Sequence, residues 1–124
     1  METWKLNFEW LRIQHFVKDT FKKDALPDLN AVLYLVGMQE LALSKTKFSK
    51  EEKQDLMHIA ICRLLIPDGY YEFEGLDQDG WPHYKVLKAI PVNGVAAQSE
   101  FLKEKVVQYF EEEGLLEQEK SGEL

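Results

Sequence analysis

The stretch Asp28-Leu-Asn-Ala-Val-Leu-Tyr-Leu-Val-Gly-Met-Gln-Glu-Leu-Ala-Leu43 is apolar on nearly every side when wound as a helix. A surface helix keeps one polar face, whereas here Leu29, Val32, Leu33, Tyr34, Leu35, Val36 and Met38 run all the way round, which fits an enclosed, central position. Pro27 closes the preceding segment. Asp28 is then placed as an N-cap, its carboxylate accepting from a free amide of the first turn and facing the positive end of the helix dipole. At about 1.5 Å per residue the helix is roughly 24 Å long, about the width of a small domain, so its neighbours are expected to wrap it.

On the N-terminal side, Trp4, Leu6, Phe8 and Trp10 alternate as strand residues do, but Trp10, Ile13, Val17 and Phe21 follow three-and-four spacing. That spacing predicts a helix from about residue 6 to Lys23. Trp4, Phe8, Trp10, Phe16 and Phe21 exceed what one helix face hides, so some are expected to cover later elements or a partner chain.

On the C-terminal side, Ser49-Lys-Glu-Glu52 spells a capping box, in which the serine serves the Glu52 amide and the glutamate reaches back. The third helix runs from there to about Ile66, where Pro67-Asp-Gly69 ends it. Tyr70–Glu74 and His83–Ile90 then alternate apolar and polar residues around Asp77-Gln-Asp-Gly-Trp-Pro82, predicting a β-hairpin over about residues 70–90. A lone hairpin is not stable in water, so the face with Tyr71, Phe73, Tyr84 and Val86 is expected to lie on helices. A fourth helix is predicted from about Gln98, with Gly114 as the left-handed residue after its end and Leu115 turned back toward Phe110. The expected fold is therefore mainly α, in the α+β class, with four helices, a central buried helix 28–43 and a hairpin inserted between helices three and four.

The length of 124 residues predicts one globular domain over 1–116, followed by an acidic, mobile tail over 117–124. Hydrophobic residues at 45% and charged residues at 30% are ordinary for a folded chain and exclude wholesale disorder. No apolar run approaches the roughly 20 residues that span a bilayer, and the first residues lack the basic-then-apolar layout of a secretion signal. With Cys62 as the single cysteine, the expectation is a cytoplasmic protein. The net charge of −7 is uneven: six glutamates and one lysine between Glu111 and Leu124 leave only −2 for residues 1–110. An acidic chain of this kind repels polyanions, which argues against a nucleic-acid partner.

Asp55, His58 and Cys62 share one side of the third helix at positions i, i+3 and i+7, types that suit zinc, with His15 or His83 the available further imidazoles. The simpler reading puts His58 and Cys62 in or beside the core, and no cofactor is expected. Gly75-Leu-Asp-Gln-Asp-Gly80 is not a calcium loop, because the first and twelfth positions would be Gly75 and Val86, neither of which supplies a side-chain oxygen. The serines lack a nucleophile-elbow context, and no phosphate-binding glycine pattern occurs, so an enzyme is disfavoured.

Lys45, Lys47, Lys50 and Lys53 form the one concentrated basic patch. Together with the order of elements, this resembles a winged-helix domain, which implies a third helix in a DNA groove and the hairpin as wing. Glu72, Glu74, Asp77 and Asp79 on that wing carry the wrong sign for phosphate, so this DNA-binding reading ranks second. Tyrosine and tryptophan are common interface anchors. The leading expectation is a small protein-interaction module that binds another protein or itself, forming a dimer in the latter case, through Trp81, Tyr70 and Tyr84 of the hairpin and Trp4 and Phe8 of the first helix.

Overall fold

The computed structural model describes residues 2–41 and 47–116. In order the elements are α1 (Thr3–Thr20), α2 (Leu29–Glu40), α3 (Lys50–Leu64), β1 (Tyr71–Leu76), β2 (Pro82–Val86) and α4 (Val95–Glu112). The described chain is thus mainly helical, with a two-stranded antiparallel hairpin between its third and fourth helices, as the residue pattern predicts. Its described residues group into two compact units, one of residues 2–32 and 92–116 and one of the described residues within 33–91.

In the first unit, α1 begins at Thr3, before the predicted start. The strand-like alternation of Trp4 to Trp10 is helical, and the Leu6 amide donates to the Glu2 carbonyl at 2.9 Å. Leu6, Trp10, Ile13 and Val17 make its buried row. The helix ends at Thr20, and beyond the cap residue Phe21 comes Lys22, whose φ of 52° takes the left-handed place usually held by glycine, while the Lys23 amide donates to the Lys18 carbonyl at 2.9 Å. α1 and α4 pack through Phe16 edge-on to Phe110 at 6.2 Å, and Lys103 Nζ lies 5.4 Å from the centre of the Trp10 ring. α4 also starts earlier than expected, at Val95 after Gly94, and no side chain caps it. Its end follows the prediction: Gly114 has φ 66°, and the Leu115 amide donates to the Phe110 carbonyl at 3.1 Å.

α2 opens as read, with the Ala31 amide donating to Asp28 Oδ1 at 2.9 Å. Val32, Leu33 and Val36 are buried, and only Asn30 and Gln39 of the helix are exposed. It ends at Glu40 rather than at residue 43. The Leu41 amide is shared between the Gly37 and Met38 carbonyls at 3.1 and 3.2 Å, the three-centre bond common at helix termini. Residues 42–43, Lys45 and the tail 117–124 lie outside the described residues.

In the second unit, both halves of the capping box are present: Glu52 N donates to Ser49 Oγ at 3.1 Å, and Ser49 N to Glu52 Oε1 at 2.9 Å. Leu56, Ile59, Ala60, Cys62 and Leu64 are the buried residues of α3. Leu41, Leu56 and Ile59 form a core cluster against which Tyr34, Met38, Phe48, Trp81 and Tyr84 pack. The hairpin pairs Tyr71 with Val86, Phe73 with Tyr84 and Leu76 with Pro82, with a bulge between Phe73 and Gly75. Tyr71 and Tyr84 are half-buried, but Phe73 and Val86 are 51% and 62% exposed. The expectation that all four lie on helices therefore holds for the two tyrosines alone: Tyr71 meets His58 of α3 and Tyr84 packs on the Leu41, Leu56 and Ile59 cluster.

Candidate functional site

A cleft of about 420 Å³ opens between α3 and the hairpin turn, lined by Glu52, Asp55, His58 and Ile59 from the helix and by Asp77, Asp79, Trp81, Pro82, His83 and Tyr84 from the hairpin. The helical residues face it together because positions three and four apart share a side of a helix. Glu52 also serves the capping box, which anchors that wall.

The opposite wall is organised by Asp77. Its Oδ1 accepts from the amides of Asp79 at 2.9 Å and Trp81 at 3.0 Å, and its Oδ2 lies 2.9 Å from His83 Nε2. The backbone closes the same turn, with Gly80 N donating to the Asp77 carbonyl at 3.1 Å and Asp77 N to the Trp81 carbonyl at 2.9 Å. Gly80 takes a φ of 86°, the left-handed position of a three-residue hairpin loop. The hydrogen bond from His83, followed by that from the Trp81 amide, holds the Asp77 carboxyl below the usual carboxylate range.

Trp81 does not stand clear of the protein at the hairpin tip. Its half-buried indole meets Phe48 edge-on at 6.3 Å, and Phe48 meets Tyr34 in the same way at 6.3 Å, so the row joins the cluster of Leu41, Leu56 and Ile59. What the indole leaves uncovered lines the cleft. Tyr84 is half-buried beside it, and burial, with Glu40 and Cys62 adding to it, pushes its hydroxyl up to about 12. Tyr70 is half-buried, with Lys88 Nζ 4.6 Å from its ring centre.

Cys62 is fully buried, its Sγ 3.5 Å from His58 Nε2, and burial pushes the thiol up to about 11. A thiol held that high stays protonated at neutral pH and is not a nucleophile. Tyr71, edge-on to His58 at 6.4 Å, is raised as well, first by burial and then by Cys62. Asp55, His58 and Cys62 do not converge as ligands: Asp55 and His58 line the cleft while Cys62 turns into the core, and among the described residues no three such side chains could hold a metal ion.

Trp4 and Phe8 belong to the first unit, 67% and 60% exposed, with Leu11 at 46% continuing their row. Winding by 3.6 residues per turn sets this row about 160° from the buried Leu6, Trp10, Ile13 and Val17. Lys47, Lys50 and Lys53 are exposed, Lys53 Nζ lying 6.0 Å from the Tyr34 ring centre. Sequence reasoning missed Glu52, Phe48 and the organising role of Asp77. For Asp77 a signal existed: an aspartate three residues before a glycine is the usual start of a side-chain-braced turn.

Comparison of the chain with protein families, curated proteins and solved structures finds no match. The chemistry of the cleft therefore stands on its lining. With neutral imidazoles it carries four negative charges, those of Glu52, Asp55, Asp77 and Asp79, beside an indole and a phenol. A concave wall of one sign concentrates the opposite charge, and aromatic faces attract ammonium and guanidinium groups.

Proposed function

We propose that this protein is a non-enzymatic interaction module whose α3–hairpin cleft receives a basic segment of a partner protein. The observation that carries the reading is that carboxylates from two separate elements and the Trp81 indole line one concavity. The outward row of Trp4, Phe8 and Leu11 on α1 serves as a second, separate contact surface, since grouped exposed apolar side chains mark interaction sites. A buried free thiol suits a reducing compartment, which supports a cytoplasmic setting. The DNA-binding alternative has less support: Lys47, Lys50 and Lys53 share their neighbourhood with Glu51, Glu52 and Asp55, and the hairpin turn offers carboxylates to the phosphates.

Selection from a displayed random-peptide library tests the reading. The expected winners are rich in lysine and arginine, compete with one another, and lose at least tenfold in affinity on Asp79→Lys. Trp81→Ala should weaken them by more than about 1 kcal/mol, as loss of an aromatic anchor does. Winners without basic residues, or indifferent to both substitutions, overturn the proposal. Preferential retention of duplex DNA in moderate salt would favour the alternative.

A further inference from the structure

The charge of the cleft is set by few groups. Among the described residues that line it there is no lysine or arginine, so its carboxylates are opposed only by His58 of α3 and His83 of β2. Both histidines are exposed, which leaves their rings open to proton exchange with solvent. Imidazole is the ordinary side chain whose charge changes between pH 5 and 8, a range in which surface carboxylates stay ionised.

We propose that His58 and His83 make the cleft a pH-gated receptor, which holds a basic segment at neutral pH and releases it as the two imidazoles take up protons; this rests on the reading of the cleft given above. Proton uptake at both rings halves the negative charge of the lining, from four to two. The two rings act differently. His83 Nε2 is 2.9 Å from Asp77 Oδ2, so its protonated form makes a full ion pair and withdraws Asp77 from an incoming cation. The turn survives this change, because Asp77 Oδ1 keeps the Asp79 and Trp81 amides.

Among the described residues, the contacts recorded for His58 are with Cys62 and Tyr71, not with a carboxylate. Its Nε2 faces the neutral thiol of Cys62 and its ring meets the edge of Tyr71, so a positive charge there is not cancelled at source and acts on whatever occupies the cleft. The charged groups that line the cleft with it are Glu52 and Asp55 on its own helix and Asp77 and Asp79 of the hairpin turn. Farther along, Glu40 of α2 and Arg63 of α3 pair at 3.2 Å, and both act on Tyr84. Two added positive charges several ångströms from a bound cation in a high-dielectric cleft weaken binding by about five- to tenfold.

The test follows a rhodamine-labelled octa-arginine peptide by fluorescence anisotropy at pH 7.5 and 5.5, at constant ionic strength, with melting curves confirming the folded state at both. Wild-type affinity is expected to fall about five- to tenfold at the lower pH, His58→Gln and His83→Asn to fall less, and the double variant to be flat. A flat wild type, or a double variant that keeps the full drop, overturns the gate while leaving the receptor reading intact. Asp55→Asn with Asp79→Asn must lose most binding at pH 7.5. If it does not, or if wild type fails to bind there at all, the peptide has no site in the cleft and both the receptor and its gate are wrong.

Discussion

Gly37 of α2 lies directly on the backbone of Leu56 of α3: a β-carbon at position 37 would stand 2.0 Å from the Leu56 carbonyl oxygen and 2.7 Å from its carbonyl carbon. The obstacle is backbone inside a capped helix, which cannot swing aside as a side chain would. Leu56 is itself fully buried at the centre of the core cluster, so this crossing positions the helix that forms one wall of the cleft.

Gly37→Ala should therefore act against helix propensity. On an open helix the change gains about 1 kcal/mol, whereas forced overpacking costs about 1–3 kcal/mol or more. The expected outcome is a lower urea midpoint and a lower Tm. A raised midpoint would mean that the two helices do not touch at this point.

The two rows of α1 should respond in opposite ways. Trp10, 7% exposed, is expected to cost about 3–5 kcal/mol on replacement by alanine. Trp4→Gln and Phe8→Gln, on the exposed row, should each stay within about 0.5 kcal/mol. Equilibrium urea unfolding of the three variants decides whether the faces are assigned correctly.

Asp77 links acid to the cleft. Its folded carboxyl titrates below the ordinary value, so its contribution is complete above that value, about 3.9 in an unfolded chain, and is lost as pH falls through the lower folded value. The indole resonance of Trp81 should move in that acid range. Asp77→Asn keeps an oxygen for the turn amides and should abolish the movement.

Alkali should act through the core. Cys62 and Tyr84 are raised to about 11 and about 12, so the stability they contribute is complete below their unfolded pKa values and lost as pH climbs through the folded ones. Melting temperature should decline above about pH 8.5, where an unfolded thiol ionises, and Cys62→Ala should flatten the first part of that decline. Native Cys62 should also react with iodoacetamide far more slowly than in urea, because it is buried.

Glu52 both completes the capping box of α3 and lines the cleft. Glutamine at position 52 preserves the reach back to the Ser49 amide, so Glu52→Gln should leave stability almost unchanged while weakening a basic peptide. Ser49→Ala should do the reverse, losing about 1 kcal/mol of stability with the cleft charge intact. Parallel melting and anisotropy measurements separate the two.

What the amino-acid order determined by itself is local. The Asp28 cap, the Ser49–Glu52 box, the stop at Gly114 and the hairpin between the third and fourth helices each depend on residues a few positions apart, and each is present. Their physics is carried by backbone amides and nearby side chains, so the pattern is readable without knowing where the element lies. The tertiary structure alone decided that Trp81 turns back onto Phe48, that Asp55 and Asp79 share one cleft, that Cys62 leaves His58 outside, and that a glycine in the apolar helix marks a crossing with Leu56. The pairings of Trp81 with Phe48, Asp55 with Asp79 and Gly37 with Leu56 join residues far apart in the chain, and they are set by how the packed surfaces fit, which no spacing within one element records.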